Sequence, residues 1–412
     1  MDVKAIEKKI AQTEVTPCQR VALAFSGGLD SSLCVELLRR RYAAKEILAI
    51  TIDVGHGEEE IETSREKAAA LGIDPIFIDR RDEFTEEWLP KAIRANSNYE
   101  GYPVSTSMTR QLIAREVATA ARERGCDAIC EGSSGKGNDQ YRMHNVFALV
   151  APGLEVIVPV RDFDLTRGEE EELCRSWGIP ITETITGGDD KTMWCRSIAS
   201  GAIRLNQELP DEIWMWLVPP EKAPDKPTDV RLEYERGLPI ALDGKRMPLK
   251  ELVPALNTIA GGNGVGKIDI FEDGIMSLKS RELYEAPAAA VILKTHRDLE
   301  QMCLPKEQIM FKTMIDQQWA YMTYHGQWFH PLKGDLDAFI EHSQEAVNGK
   351  VTVRLYKGNA DIVRREADQS LYVIGSKYRL LTAEQAGFDQ RWCADAARVR
   401  GLPYEIMAQR EE

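Results

Sequence analysis

Short apolar runs alternate with amphipathic segments through the first half of the chain. Each run has the length and composition of a strand that is buried on both faces. The runs stand at residues 20–25, 47–54, 75–79, 127–132 and 155–160. The segments between them have apolar residues at helical spacing, and three are expected to close at Gly72, Gly125 and Gly178. Buried strands that alternate with helices predict an α/β fold with a doubly wound parallel sheet.

The pattern changes after about residue 180, where helices and strands are segregated along the chain. Residues 218–227, VPPEKAPDKP, predict a connector. Residues 229–244 and 267–280 predict antiparallel hairpins, the first with turns at Arg236-Gly237 and Asp243-Gly244. Two helices, about 287–302 and 305–323, precede paired strands around 350–363, and a helix ends the chain. The second half is therefore predicted to be α+β. The predicted divisions are an N-terminal extension at 1–19, a nucleotide-binding domain at 20–181, a second domain at 182–382 and a C-terminal helix at 383–412.

Composition and charge narrow the class of protein. The 412 residues are 43% hydrophobic and 29% charged, which is typical of a soluble globular chain of two or three domains. We expect a cytoplasmic protein, because no apolar run is long enough to span a membrane and residues 1–17 lack an apolar signal-peptide stretch. The net charge of −14 argues against a nucleic-acid partner. The eight cysteines form no CxxC pair, so they are interpreted as reduced packing residues, and no metal site made of side chains is predicted.

The segment SGGLDSS, residues 26–32, follows the first predicted strand and opens a helix. A helix N-terminus offers unpaired N–H groups and a positive dipole, so anions bind there. Gly27 and Gly28 let the backbone approach a phosphate closely, and the serines add hydroxyl donors. Asp30 would repel phosphate, and is better interpreted as an organiser of the loop or a partner of magnesium. The alternative is a serine N-cap with a tight turn, which needs fewer glycines and serines than are present.

A second glycine-bearing segment, GSSGKGND at residues 132–139, follows the fourth predicted strand. The carboxyl ends of parallel strands meet at one edge of a sheet, so both loops are expected to face one crevice. Lys136 would bring a positive charge to phosphates. Asp139 is able to grip an ammonium group, and Asn138 is able to donate and accept hydrogen bonds at once. A flexible surface loop is the alternative interpretation.

The first loop is not a Walker A motif. It resembles the pyrophosphate loop of the N-type ATP pyrophosphatases, which include GMP synthetase, asparagine synthetase, tRNA-thiolating enzymes and argininosuccinate synthase. The rest of the chain resembles the argininosuccinate synthase family, from about Arg20 onwards. The likeness is carried by DVGHGEEEIETSREKA (53–68), YEGYPVSTSMTRQLIA (99–114), EGSSGKGNDQYR (131–142), GVGKIDIFEDGIMSLKSRELYEAP (264–287) and HRDLE (296–300), and continues in QWFHPLKGDLDAFI and FDQRW…RGLP.

This resemblance implies a ligase that condenses citrulline with aspartate, uses ATP and Mg²⁺, and forms a homotetramer through its C-terminal helix. The implied ATP-binding residues are Ala24, Phe25, Ser26, Gly27, Gly28, Leu29, Asp30, Ser31, Ser32, Ile52 and Gly132. The implied aspartate-binding residues are Ser134, Asn138 and Asp139. The implied citrulline-binding residues are Tyr102, Ser107, Asn138, Arg142, Ser197, Glu272 and Tyr284. Asp30, Lys136 and Asp139 are the expected catalytic residues.

The sequence departs from the family pattern at several positions. The family usually has histidine at Glu131, glutamate at His144, glutamine at His56 and threonine at Ser134, and a serine that contacts citrulline is replaced by Gly188. These changes leave open an acceptor other than citrulline, such as another ureido, amide or carbonyl compound. Two further functions also stay open at this point: sulfur or ammonia transfer, as in tRNA thiolation, and non-catalytic sensing of a nucleotide or an amino acid.

Overall fold

The computed structural model describes residues 2–181, 189–198, 208–372 and 391–410. The N-terminal half is built on a parallel five-stranded sheet with the order β3-β2-β1-β4-β5. Its strands are β1 (Arg20–Ala24), β2 (Glu46–Asp53), β3 (Ile76–Asp79), β4 (Ala128–Cys130) and β5 (Glu155–Ile157). The predicted doubly wound parallel sheet is therefore confirmed. The fifth predicted strand was too long, because Pro159 has no N–H for a sheet and instead begins a short helix.

Helices cover both faces of this sheet. They are α1 (Val3–Gln12), α2 (Leu29–Arg40), α3 (Glu58–Ala70), α4 (Arg81–Glu83), α5 (Leu89–Arg94), α6 (Thr106–Glu123), α7 (Asp139–Val150), α8 (Pro159–Asp162) and α9 (Arg167–Trp177). A π-helical turn, Phe84–Trp88, joins α4 to α5. Helix α9 begins with a capping box between Thr166 and Glu169 and ends at Gly178 in the left-handed conformation, as its glycine predicted.

The predicted N-terminal extension contains a helix that packs on the first domain. Ile6 and Ile10 of α1 are buried in the same core as Val21 of β1. The side chain of Lys9 also pairs with Glu169 of α9, at 3.2 Å. Residues 3–12 therefore contribute to the apolar layer on one face of the sheet.

The strand order places a topological switch point between β1 and β4. The chain leaves β1 for β2 on one side, and later returns to β4 on the other side of β1. The loops that follow β1 and β4 therefore diverge and leave a crevice at the carboxyl edge of the sheet. Ligands of open α/β sheets bind in this kind of crevice.

The second half contains two antiparallel sheets, with the orders β10-β9-β8-β13-β14 and β11-β12-β7-β6. Its strands are β6 (Asp189–Lys191), β7 (Arg196–Ile198), β8 (Thr228–Glu235), β9 (Leu238–Leu242), β10 (Lys245–Arg246), β11 (Lys267–Asp273), β12 (Lys279–Glu285), β13 (Gly349–Tyr356) and β14 (Asn359–Ala367). Its helices are α10 (Leu249–Gly262), α11 (Pro287–Cys303), α12 (Lys306–Tyr324), α13 (Pro331–Ser343) and α14 (Trp392–Ala408). The α+β prediction and the hairpins are confirmed. Helices α10 and α13 were not predicted.

Seven cysteines of the chain are buried and Cys393 is exposed, and all are free thiols. The interpretation of the cysteines as packing residues therefore holds for those seven. In the part of the chain that the structure describes, no helix is long and apolar enough to cross a membrane.

Candidate active site

The loop after β1 has a conformation that requires glycine at one position. Gly27 has a φ of +73°, and a Cβ there would lie 2.9 Å from the Ser64 Cα on α3. The Ser26 and Ser31 hydroxyls lie 3.2 Å apart, and Gly28 N–H donates to Ser26 Oγ at 3.2 Å. The loop is thus compact, and its hydroxyl groups are held next to the N-terminus of α2.

Neighbouring elements fix this loop from outside. The Lys67 ammonium of α3 donates to the Gly27 carbonyl at 2.8 Å, and burial lowers the pKa of Lys67. The Thr51 hydroxyl of β2 donates to the Phe25 carbonyl at 2.7 Å, beside buried Ile52. The buried Ser32 hydroxyl has no hydrogen-bond partner among the described residues.

Asp30, the acid of the first loop, is paired with α9, a helix that packs against α2. The Arg167 guanidinium of α9 donates to its carboxylate at 2.8 Å. Glu170, on the same first turn of α9, has its pKa raised by burial and by the negative charge of Asp30. This geometry favours a role for Asp30 in ordering the loop. Among the residues that the structure describes, no group of three or more His, Cys, Asp and Glu side chains is arranged to hold a metal ion.

The loop after β4 lies directly against the first loop. A Cβ at Gly132 would lie 3.1 Å from both the carbonyl carbon of Asp30 and the backbone nitrogen of Ser31. Glycine is needed here for the close approach of two backbones. The two loops therefore meet in one crevice, as their positions after β1 and β4 predicted. Lys136 of the second loop is exposed and makes no ion pair within the described ranges.

Glu131 stands at the start of the second loop and is 3% exposed. Its carboxyl group accepts a hydrogen bond from Ser133 N–H at 2.7 Å. Burial raises the pKa of Glu131 to about 7, and this outweighs the hydrogen bond. The backbone of the second loop is therefore hydrogen-bonded to a carboxyl group that titrates near neutral pH.

Asp139, the first residue of α7, is the centre of a half-buried ion cluster, and 33% of its side chain is exposed. Its two carboxylate oxygens accept hydrogen bonds at 2.8 Å, one from Arg110 Nε of α6 and one from Arg142 Nη1 of α7. Arg110 also donates to Asp190 of β6 in the second half of the chain. Burial would raise the pKa of Asp139, but the two arginines outweigh it and the pKa is lowered. Asp139 is therefore ionised near neutral pH.

A second polar cluster surrounds Glu272 of β11. The Tyr284 hydroxyl donates to one carboxylate oxygen at 2.9 Å, and the Tyr324 hydroxyl donates to the other at 2.6 Å. Asn138 of the second loop donates to the Tyr324 hydroxyl at 3.0 Å. Arg142 donates from Nε to the Tyr324 carbonyl at 2.8 Å, which joins this cluster to the one around Asp139.

Hydroxyl groups and aromatic rings complete the region. Tyr102 stacks on Tyr284 with 4.4 Å between ring centroids. Ser197 of β7 is the register partner of Tyr284 on β12. The hydroxyls of Ser107 and Ser197 are buried without a hydrogen-bond partner in the described part of the chain. Buried polar groups without a partner are uncommon in folded proteins, so a ligand is one explanation for them.

The residues expected at the acceptor end therefore lie in one connected region, which also includes Asp139. The sequence did not single out Arg110, Asp190 or Tyr324, which make central contacts there. Arg110 lies three residues after Ser107 on α6, so helical spacing was an available signal. No local pattern marks Tyr324, the last residue of α12. His144 is exposed on α7, and Gly188 lies outside the described residues.

Comparison with known proteins agrees with this geometry. Residues 20–180 match the family described as the arginosuccinate synthase N-terminal HUP domain, and residues 188–407 match the arginosuccinate synthase C-terminal domain. Argininosuccinate synthase of Methanopyrus kandleri is 42% identical over 95% of this chain and 99% of its own length. That of Pyrococcus furiosus is 42% identical over 93% of both chains.

Among solved structures, the U34-tRNA thiolase NcsA from Methanococcus maripaludis aligns with 44% of this chain and 66% of its own. Its TM-score is 0.32 at 18% identity, a likeness too slight to bear on the fold or the function. The two family matches together span most of the chain, and the relatives are similar over nearly their whole length. The chain belongs to the argininosuccinate synthase family.

Proposed function

We propose that this protein condenses citrulline with aspartate to argininosuccinate, with cleavage of ATP to AMP and pyrophosphate. The observation that carries the proposal is the convergence of three features in one region. Two glycine loops meet at the switch point of the parallel sheet. An ionised Asp139 borders the second loop, and a polar cluster around Glu272 adjoins it through Arg142. The glycine loops suit the phosphates of a nucleotide, and Asp139 and the polar cluster suit the charged groups of two amino acids.

The first step would be attack of the citrulline ureido oxygen on the α-phosphate of ATP. A bond forms between that oxygen and phosphorus, and the bond to the β-phosphate bridge breaks, so pyrophosphate leaves. Residues 24–32, with Ile52 and Gly132, would bind the nucleotide. The N-terminus of α2, the loop hydroxyls and Lys136 would stabilise the phosphate charge, so this step depends mainly on positioning and electrostatics.

The second step would be attack of the aspartate amine on the ureido carbon of the adenylated intermediate. The ammonium group first loses a proton to solvent. A carbon–nitrogen bond then forms, the bond between that carbon and the former ureido oxygen breaks, and AMP leaves with the oxygen. Ser134, Asn138 and Asp139 would bind aspartate. The lowered pKa of Asp139 suits a carboxylate that holds an ammonium group, and makes it a weak proton acceptor.

The acceptor would lie among Tyr102, Ser107, Asn138, Arg142, Ser197, Glu272 and Tyr284. Ser107 and Ser197 offer buried hydroxyls that have no hydrogen-bond partner among the described residues, and Glu272 offers a carboxylate for an ammonium group. A different ureido, amide or carbonyl acceptor remains the second candidate, because Gly188 replaces a serine of the family pattern. Retention of the other acceptor-end residues favours citrulline. Of the remaining substitutions, His144 is exposed and Glu131 accepts a hydrogen bond within the second loop.

Magnesium is proposed to arrive with ATP. Mg²⁺ is usually bound through one or two carboxylates together with substrate phosphates. Asp30 is the acid of the first loop, and could share such an ion if it left Arg167. Magnesium would supply charge neutralisation on the phosphates of the bound nucleotide.

The C-terminal helix is proposed to pack on another copy of the chain in a homotetramer. Helix α14 exposes Trp392, Val399, Tyr404 and Ile406, and none of its described residues is buried. The sequence pattern of this helix also predicts an apolar stripe that includes Phe388, which lies outside the described residues. Truncation after Thr382 should lower the mass seen by light scattering, and an unchanged oligomer would contradict the proposal.

The test of the activity is pyrophosphate release with ATP, magnesium and aspartate, against citrulline and a panel of other ureido and amide compounds. We expect citrulline to give the fastest release, with argininosuccinate identified by mass spectrometry. Faster release with another acceptor would favour the second candidate. No release above background with any acceptor would contradict a ligase of this kind.

A further inference from the structure

Arg110, like Arg142, links the two halves of the proposed site. It lies on α6, at 22% side-chain exposure, and bridges Asp139 at the start of α7 to Asp190 of β6. These acids are 29 and 80 residues away from it along the chain. Asp139 belongs to the proposed aspartate end. Asp190 is opposite Ser197 of the proposed acceptor end in the antiparallel β6–β7 register.

The hydrogen bonds of the Asp139 carboxylate indicate the role of the bridge that Arg110 forms between Asp139 and Asp190. Each of its oxygens accepts one hydrogen bond from an arginine, Oδ2 from Arg110 and Oδ1 from Arg142. A carboxylate has about four acceptor positions, so each oxygen retains one for a further donor. Two arginines therefore fix the plane of the carboxylate and leave one acceptor position on each oxygen for an ammonium group. Without Arg110, only Arg142 would hold it.

We propose that Arg110 is a positioning residue that orients Asp139 towards the amine of one substrate and holds strand β6 against the acceptor end. This inference rests on the proposed function. It assigns to Arg110 no contact with the reacting atoms.

The groups that face Asp139 determine how its ionisation should respond. They are Arg110 from α6, Arg142 from α7, Asp190 from β6 across Arg110, and Glu131 before the second loop. The arginines favour the charged form, whereas the two acids disfavour it. Replacing Arg110 with a neutral residue should raise the pKa of Asp139, so aspartate binding should be lost at a higher pH than in the wild type.

Arg110→Gln is the principal variant and Arg115→Gln is its matched control. Arg115 lies on the same helix with 27% side-chain exposure and also bridges two acids, Glu83 and Glu116. We expect Arg110→Gln to raise the KM for aspartate at least about tenfold, with the KM for ATP changed less than about twofold, because one charge-assisted hydrogen bond is worth a factor of this order. The acid limb of kcat/KM for aspartate should move up by about one pH unit. Arg115→Gln should leave the KM for aspartate and the acid limb of kcat/KM near their wild-type values.

Asp190→Asn weakens the contact of Arg110 with strand β6 and leaves its contact with Asp139. This variant also tests the inference if Arg110→Gln fails to fold. It leaves both arginines on Asp139, so the KM for the acceptor should rise while the KM for aspartate changes less than about twofold. An unmoved acid limb and an unchanged aspartate KM in Arg110→Gln would overturn the inference, as would the same shifts in Arg115→Gln.

Calorimetry of aspartate with the wild type and Arg110→Gln, in the presence of a non-hydrolysable ATP analogue, tests the positioning of Asp139 without turnover. Weaker aspartate binding by Arg110→Gln would support it even if citrulline proved to be the wrong acceptor.

Discussion

Replacement of Glu131 with glutamine should make the stability of the protein less dependent on pH. Burial raises the pKa of this carboxyl group to about 7 from an ordinary value of 4.5. Between those values the folded chain binds more protons than the unfolded chain, so stability falls as the pH rises. Glutamine removes this titration and retains a carbonyl oxygen for Ser133 N–H. The variant should therefore gain stability relative to the wild type as the pH rises through this window.

The size of the effect follows from the two pKa values. At about 1.36 kcal/mol per unit, ionisation of Glu131 costs about 2 kcal/mol of stability at pH 6 and about 3 kcal/mol at pH 8. The difference between the variant and the wild type should thus grow by about 1 kcal/mol over this interval. The pH dependence is the informative quantity, because the new amide also introduces an N–H₂ group whose cost does not depend on pH. Other buried acids, such as Asp316, titrate equally in both proteins and cancel in the difference.

The assay is urea unfolding of both proteins at several pH values from 6 to 8, above the sequence pI of about 5.2. Glu36→Gln, in the neighbouring helix α2, is the control. The pKa of Glu36 is lowered, because its hydrogen bonds to Arg39 and Arg40 outweigh burial. This group is ionised throughout the interval, so its replacement should cost the same at pH 6 and pH 8. A constant difference between Glu131→Gln and the wild type would refute the reasoning.

Three further variants test the proposed substrate positions. Gly28→Val should abolish ATP binding in calorimetry with an unchanged circular dichroism spectrum, since a Cβ there already lies 3.2 Å from Ser26 Oγ; unchanged binding would remove the loop assignment. Asp139→Asn should raise the KM for aspartate with ATP binding retained, because loss of a charged hydrogen bond costs about 1.5–3 kcal/mol; wild-type kinetics would exclude the role. Gly188→Ser restores the hydroxyl of the family pattern and should change the KM for citrulline by about two- to tenfold. A wild type without citrulline-dependent turnover would favour a different acceptor.

The sequence was most informative where the signal is local. Buried apolar runs identified all five parallel strands, and the turn at Arg236-Gly237 has positive φ values of 49° and 74°, as a tight hairpin requires. The glycine loops were found for the same reason, because position after a strand and residue type are both local. The error at the fifth strand also had a local cause, since Pro159 was included in an otherwise β-branched run.

Contacts between distant residues explain what the sequence did not reveal. Arg110 is informative only when α6, α7 and β6 are brought together, and Tyr324 only when α12 ends beside β11. Helix α10 contains Pro254, a residue that normally argues against a helix interior, yet the helix buries Leu252, Val253 and Leu256. Tertiary burial there outweighs local preference.

The most direct test of the central claim follows the ureido oxygen of citrulline. The wild-type enzyme would be supplied with ATP, magnesium, aspartate and citrulline labelled with ¹⁸O at that oxygen, and the AMP formed would be analysed by mass spectrometry. If citrulline is adenylated on this oxygen and aspartate then displaces AMP, one ¹⁸O atom should appear in each AMP. AMP without the label, or no AMP that depends on citrulline, would contradict the account.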